Sequence, residues 1–288
     1  MRRARLARVL WSAALAAVLG AAQVPPALSA QVDFLPGASA FRSLLADPRE
    51  AQYLMRYMHG SGRARGEVAF GDTFGLVRAG NIRSVQFGLQ ASVYTRFNRD
   101  VNSVGFLDVN TADYAIFFPF DLHQGPVGLR VGFGHLSSHL GESEVQRRIV
   151  FGGANFFDRA FLYRRDFIRS LVSFDATDAV RVYAGGSYGV HVTPKGPRGS
   201  GQVGAELVST PQPLGRLHRQ WYVAVDLQSW AEANWALNAN LQAGVRMSRP
   251  GSSRRLRVAL DVYHGRALQR ILGRDHERYE SVGLYFEF

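Results

Sequence analysis

The sequence predicts an all-β fold, a closed antiparallel transmembrane β-barrel of about twelve strands. Three observations predict it: an export-type N-terminus, apolar residues recurring at every second position in segment after segment, and a closing strand that ends on an aromatic residue. Helical periodicity is almost absent, and no repeat of longer period is visible.

The N-terminus comes first. Arg2, Arg3, Arg5 and Arg8 form a basic head ahead of an apolar run from Val9 to Ala22, and small residues offer cleavage after Ala22 or after Ala30. Residues 1–30 therefore read as a signal peptide, too short in its apolar part for a spanning helix. Residues 31–50 are expected as a periplasmic lead-in and residues 51–288 as the barrel. The chain has no Cys, which excludes a lipoprotein anchor, disulfides, thiolate metal sites and a Cys nucleophile. An exported chain without disulfides needs a large continuous fold, and a closed sheet supplies one.

The strands follow in order. A first strand is expected at 51–58. In 85–93, Val85, Phe87, Leu89, Ala91 and Val93 alternate with Gln86, Gly88, Gln90 and Ser92. Trp221, Val223, Val225 and Leu227 alternate with Tyr222, Ala224, Asp226 and Gln228; Leu237, Leu241 and Val245 with Asn238, Asn240 and Gln242; Leu256, Val258, Leu260 and Val262 with Arg257, Ala259, Asp261 and Tyr263. One face suits lipid and the other a polar lumen. The last strand closes the series: Val282, Leu284, Phe286 and Phe288 take one side, Ser281, Gly283, Tyr285 and Glu287 the other. Short turns are expected at 79–81, 121–126, 175–178, 210–217 and 248–253. Mostly longer loops are expected at 59–66, 98–105, 140–163, 193–200, 231–234 and 265–277. Short turns inside and longer loops outside is the outer-membrane asymmetry. Trp221, Trp230 and Trp235 are expected in aromatic girdles.

Thirty-four basic against 23 acidic residues give a net charge of +11, four of the positive charges lying in the leader. Nucleic acid is not an expected partner of an exported chain; anionic lipopolysaccharide or phospholipid headgroups are. The arginines Arg147, Arg148, Arg159, Arg266, Arg270, Arg274 and Arg278 are expected in the outer loops. They read as a solvated rim or as phosphate clamps.

One dense polar cluster, residues 134–144, ends the rising strand that begins at Val127. Val127, Leu129, Val131 and Phe133 form its lipid-facing row, and the same phase puts His135 and Ser137 outward. Two residues along a strand span ~6.6 Å on one face, within reach for a nucleophile and its base. In the partner strand the even residues from Asp166 to Phe174 take the lipid side, leaving Arg165 and Arg169 inside. If position 139 pairs near position 164, Asp166 lies opposite Ser137 and can orient His135. The other readings are a polar strand end bonded to its own loop and a metal site. His135 and His139, ~13 Å apart if extended, do not share one ion without a bend.

His135-x-Ser137 on an outer-leaflet strand resembles outer-membrane phospholipase A and, more faintly, lipid A 3-O-deacylase. Those families are serine esterases with a His-x-Ser-Asn motif. The resemblance implies Ser137 as nucleophile, His135 as base, and calcium completing the oxyanion site. Ser138 stands where the motif has Asn, and Asp166 is the nearest orienting group. Over its mature length the chain is similar to a bacterial outer-membrane family of unassigned function, through residues 44–50, 135–144, 163–166 and 263–265. The C-terminal strand ending in Phe288 resembles the signal read by the barrel-assembly machinery. A small-solute channel is the rival reading, with Arg130, Arg165, Arg169, Arg181, Asp226, Arg246, Arg257 and Asp261 lining the lumen, as is a structural surface protein. Charges of both signs can equally pair and fill the interior.

Overall fold

A computed structural model describes residues 32–36, 39–60, 63–80, 83–98, 108–142, 144–145, 162–273 and 275–288. The expected signal peptide, 1–30, lies outside the described residues. The strands are β1 Val32–Phe34, β2 Tyr53–Gly60, β3 Arg63–Ala79, β4 Arg83–Asn98, β5 Asp108–Gln124, β6 Val127–Leu140 and β7 Leu162–Asp175. They continue with β8 Val180–Thr193, β9 Gly199–Val208, β10 Gln212–Leu214, β11 Leu217–Trp230, β12 Ala236–Ser248, β13 Arg255–Arg266 and β14 His276–Glu287. Twelve of them, all but β1 and β10, form a closed ring of antiparallel neighbours, with β14 paired to β2.

The alternation of the sequence sets the two faces of the wall. Val282 and Phe286 of β14 are exposed and Ser281 and Tyr285 buried; Trp221 and Val223 of β11 are exposed and Tyr222 and Asp226 buried. An outward apolar surface around a polar, hydrogen-bonded interior is the arrangement a strand-built wall needs in lipid, where closure leaves few unpaired backbone groups. The protein is an outer-membrane β-barrel.

At the turn end, Gly125 takes a φ of 55° and Pro126 follows. That is the II′ order that matches strand twist, and it lets Gln124 pair with Val127. Two expected breaks are shorter than expected, because strand runs into them. The loop expected at 59–66 is a continuing ladder up to the Gly60–Arg63 pair. The turn expected at 210–217 contains β10, paired to β11. In 59–66 the charges misled: Arg65 pairs with Glu277 inside the barrel, so a polar run is compatible with a strand whose lumen is polar. Trp221 and Trp235 face outward as expected of girdle residues, but Trp230 falls on the inward phase of β11 and is buried.

The stretch expected as a periplasmic lead-in divides in two. Val32–Phe34 pairs with Val77–Ala79 at the turn end. Residues 39–52 then lie inside the barrel, with Phe41, Leu44, Leu45 and Ala46 buried, before Tyr53 rejoins the wall. This segment has no ladder of its own, so lumen side chains satisfy its backbone. Arg181 donates to the carbonyls of Arg42 (3.0 Å) and Ser43 (2.7 Å), Asn240 donates to that of Ala46 (2.9 Å), and the Leu45 amide donates to Glu206 (2.7 Å).

The opposite end is filled by the β13–β14 connection. Leu268 and Gln269 are buried, the Ile271 amide donates to Ser138 Oγ at 3.1 Å, and Arg270 stacks over Trp230 at 3.7 Å while pairing with Glu232. Arg270 is thus an interior residue and not part of an outer rim; Arg147, Arg148, Arg159 and Arg274 lie outside the described residues. Of the eight interior charges named above, four are ion-paired among the described residues: Arg130 with Asp121, Arg169 with Asp47, Arg181 with Glu206 and Arg257 with Glu287.

Candidate functional site

The polar cluster of β6 lies on the outer face near the loop end of the barrel. His135 and Ser137 continue the outward row of Val131 and Phe133, while Ser138 turns inward, fully buried, and donates to Asp113. Across the β6–β7 ladder the expected register is off by two residues. Position 139 pairs with Leu162, so Asp166 stands opposite His135 and Arg164 opposite Ser137. An even slip keeps every side chain on its face, so the outward residues stay outward and only their partners change.

The consequence is a hydrogen bond. His135 Nδ1 lies 2.6 Å from Asp166 Oδ1, with side chains 42% and 35% exposed. A ring nitrogen donating to a carboxylate fixes the tautomer and leaves Nε2 as the acceptor. The structure therefore brings His135 and Asp166 together. The Ser137 hydroxyl, outward and half-buried, makes no hydrogen bond among the described residues.

Three neighbours were not foreseen. Arg164 faces outward beside Ser137, its Nε 3.4 Å from the Thr193 hydroxyl of β8. His191 pairs with Asp166 from the other side, because a bulge lets Phe167 pair with Gly189 and puts both Val190 and His191 outward. Bulges re-aim side chains in this way beside functional sites. Tyr114 of β5 pairs with Ser137 and packs edge-on against His139 at 5.7 Å. The strand pattern could have signalled Arg164, which shares parity with Asp166; the bulge hides His191 from any such reading.

An apolar groove leads to this cluster. A volume of about 360 Å³ on the lipid-facing surface is lined by Tyr53, Phe70, Phe74, Val93, Tyr114 and Ile116 and reaches His135. One row of paired residues, Asp72, Ala91, Ile116 and His135, runs through it from β3 to β6. The small Ala91 leaves the depression between larger neighbours.

A family model described as "Protein of unknown function (DUF1207)" matches residues 17–288. The chain belongs to this family. No curated protein matches the sequence. Among solved structures, this DUF1207 chain is similar to the outer membrane phospholipase A from Escherichia coli, with a TM-score of 0.49 and 14% identity over 85% of this chain and 92% of that one. It is similar also to the KdgM porin (0.45, 11%, 82% and 99%) and to LpxR from Salmonella typhimurium (0.43, 10%, 83% and 100%). Identities and scores of this size say nothing about activity, so the DUF1207 site is read from its own residues.

Calcium takes six to eight oxygen ligands, carboxylates prominent among them. Among the described residues of this DUF1207 member no group of three or more His, Asp or Glu is arranged to hold a metal. Asp166 is engaged by His135, and the Arg164 guanidinium sits in the row of Ser137. These residues do not fit calcium.

Proposed function

We propose that the barrel is a serine-type lipid-ester hydrolase acting on phospholipid or lipid A at the outer leaflet. The observation that carries this reading is the His135–Asp166 hydrogen bond on the lipid-facing surface, two residues from Ser137 and at the end of an apolar groove. An acyl chain lying in the groove brings its ester to the polar boundary without entering the lumen.

The chemistry follows from the three side chains. Ser137 Oγ attacks the acyl carbonyl carbon while His135 Nε2 takes the hydroxyl proton, and Asp166 stabilises the imidazolium that forms. The tetrahedral intermediate collapses, the C–O bond to the alcohol breaks, and the imidazolium returns its proton to the departing oxygen. Water, activated by the same imidazole, then releases the acyl group from Ser137. Arg164, opposite Ser137, offers guanidinium hydrogen bonds to the developing oxyanion or to a headgroup phosphate. The Ser137–His135 contact closes by rotation about the serine χ1 as substrate binds, since such contacts are often open in empty sites.

Interior pairing and the two filled ends of the lumen favour this reading over a solute channel. The test is ester cleavage on labelled phospholipid and lipid A by folded wild type and by Ser137→Ala and His135→Ala, with and without calcium. Cleavage by wild type lost in both variants supports the proposal; no cleavage by wild type ends it and leaves a polar strand end bonded across its ladder.

A further inference from the structure

Inside the barrel, away from the lipid-facing site, the two fillings leave a cavity of about 150 Å³. Asp47, Arg49 and Ala51 of the inserted segment form one side, Leu268 and Arg270 of the β13–β14 connection another, and Arg165 and Arg169 stand on the wall. Four guanidinium groups therefore border a space in which, among the described residues, the bordering carboxylates are Asp47 and Asp113.

The pairings leave positive charge over. Arg169 is held by Asp47 at 2.9 Å and Arg270 by Glu232 at 2.9 Å. Arg165 is 2% exposed and, among the described residues, has no carboxylate partner. It donates to the Ser187 hydroxyl (3.2 Å) and the Arg198 carbonyl (2.6 Å), and its Nε has no acceptor. Arg49 lies 3.5 Å from Asp113, 3.9 Å from Glu67 and 4.5 Å over the Tyr94 ring, yet none of its guanidinium nitrogens makes a hydrogen bond among the described residues, so it is charge-compensated but keeps unused donors. A buried cation without its anion is costly, of the order of several kcal/mol. Unused guanidinium donors suit the oxygens of a tetrahedral or carboxylate anion.

We propose that this cavity is a binding site for a small oxyanion of phosphate size, with Arg165 and Arg49 as its recognition residues. Size limits the ligand: a cavity of ~150 Å³ accepts a molecule about as large as benzene. That admits inorganic phosphate and excludes an intact lipid headgroup with its glycerol and chains. The site is independent of Ser137, which faces the opposite side of the wall.

The experiment titrates inorganic phosphate calorimetrically into purified folded barrel, and repeats the measurement on barrel refolded in phosphate and then dialysed. Wild type should show saturable single-site binding by one route or the other. Arg165→Gln and Arg49→Gln should each weaken it by about tenfold or more, while Arg254→Gln, exposed at the turn end, should bind as wild type does. Should Arg165→Gln fail to gain the heat-modifiable mobility of a folded barrel, Arg49→Gln decides. No saturable binding by wild type by either route overturns the proposal. So does unchanged affinity in the folded lumen variants, which would place the phosphate on exposed basic residues instead.

Discussion

His135 Nδ1 and Asp166 Oδ1 lie 2.6 Å apart on the lipid-facing side of the β6–β7 ladder. A carboxylate on an outward strand position costs free energy in contact with hydrocarbon. It is tolerated here because it is hydrogen-bonded and close to the loop end. Among the described residues the other imidazole nitrogen makes no hydrogen bond, and Ser137 lies two residues along the same outward row, the arrangement from which the first prediction follows.

Asp166→Asn should keep the barrel folded but lower ester turnover on the order of 10³-fold, by favouring the wrong imidazole tautomer and removing the charge that balances the imidazolium. KM should move far less than kcat, because Asp166 does not bear on acyl-chain binding. Steady-state kinetics of wild type and variant test this; an Asn variant as fast as wild type would remove Asp166 from the mechanism.

The inserted segment gives a second prediction, with a definite sign. Burial pushes the Glu50 carboxyl up from 4.5 to about 7, against the pull of Arg130. The docked segment therefore holds this proton over a range in which the released segment has lost it. Docking is strongest at acid pH, weakens as pH rises from about 4.5 through about 7, and changes no further above that. The linkage is worth about 3 kcal/mol. Hydrogen exchange of residues 39–52, corrected for intrinsic rates, should show less protection at pH 8 than at pH 5, and Glu50→Gln should flatten the difference. Equal protection of wild type at both values would contradict it.

Conductance gives a third. With residues 39–52 and 267–273 in the lumen and Arg130, Arg169, Arg181 and Arg257 ion-paired, purified protein in a planar bilayer should show no steady open conductance. Deleting residues 39–50 should produce one. Ohmic conductance of the intact protein would favour the channel.

Much of the barrel is legible in the sequence because a wall between lipid and a polar lumen imposes period two on each strand. The filled lumen is not. Phe41 to Ala46 has no periodicity, and its backbone partners are side chains such as Asn240, 194 residues away. In the site, the side chains and their faces are legible but their register is not. It is set by where β7 resumes after a long connection, and local pattern carries no record of that. His191 shows a second limit, since a bulge breaks the parity on which the reading depends.

Assembly supplies a fourth prediction. The Phe288 ring packs edge-on against Tyr53 at 5.0 Å, across the seam where β14 meets β2. Deleting Phe288, or making Phe286 and Phe288 polar, should leave export intact and block insertion by the assembly machinery. Outer-membrane fractions should then lack the heat-modifiable species; its undiminished presence would refute a role for this end.

The most direct measurement labels the nucleophile. An acyl-ester substrate carrying a labelled acyl group, incubated with folded barrel and quenched in acid, should leave the label on Ser137, located by mass spectrometry of the peptide that contains it. Labelling is expected in wild type, none in Ser137→Ala, and at least about 10²-fold slower labelling in His135→Ala. Ester cleavage that persists in Ser137→Ala, or label found on any other residue, would contradict it.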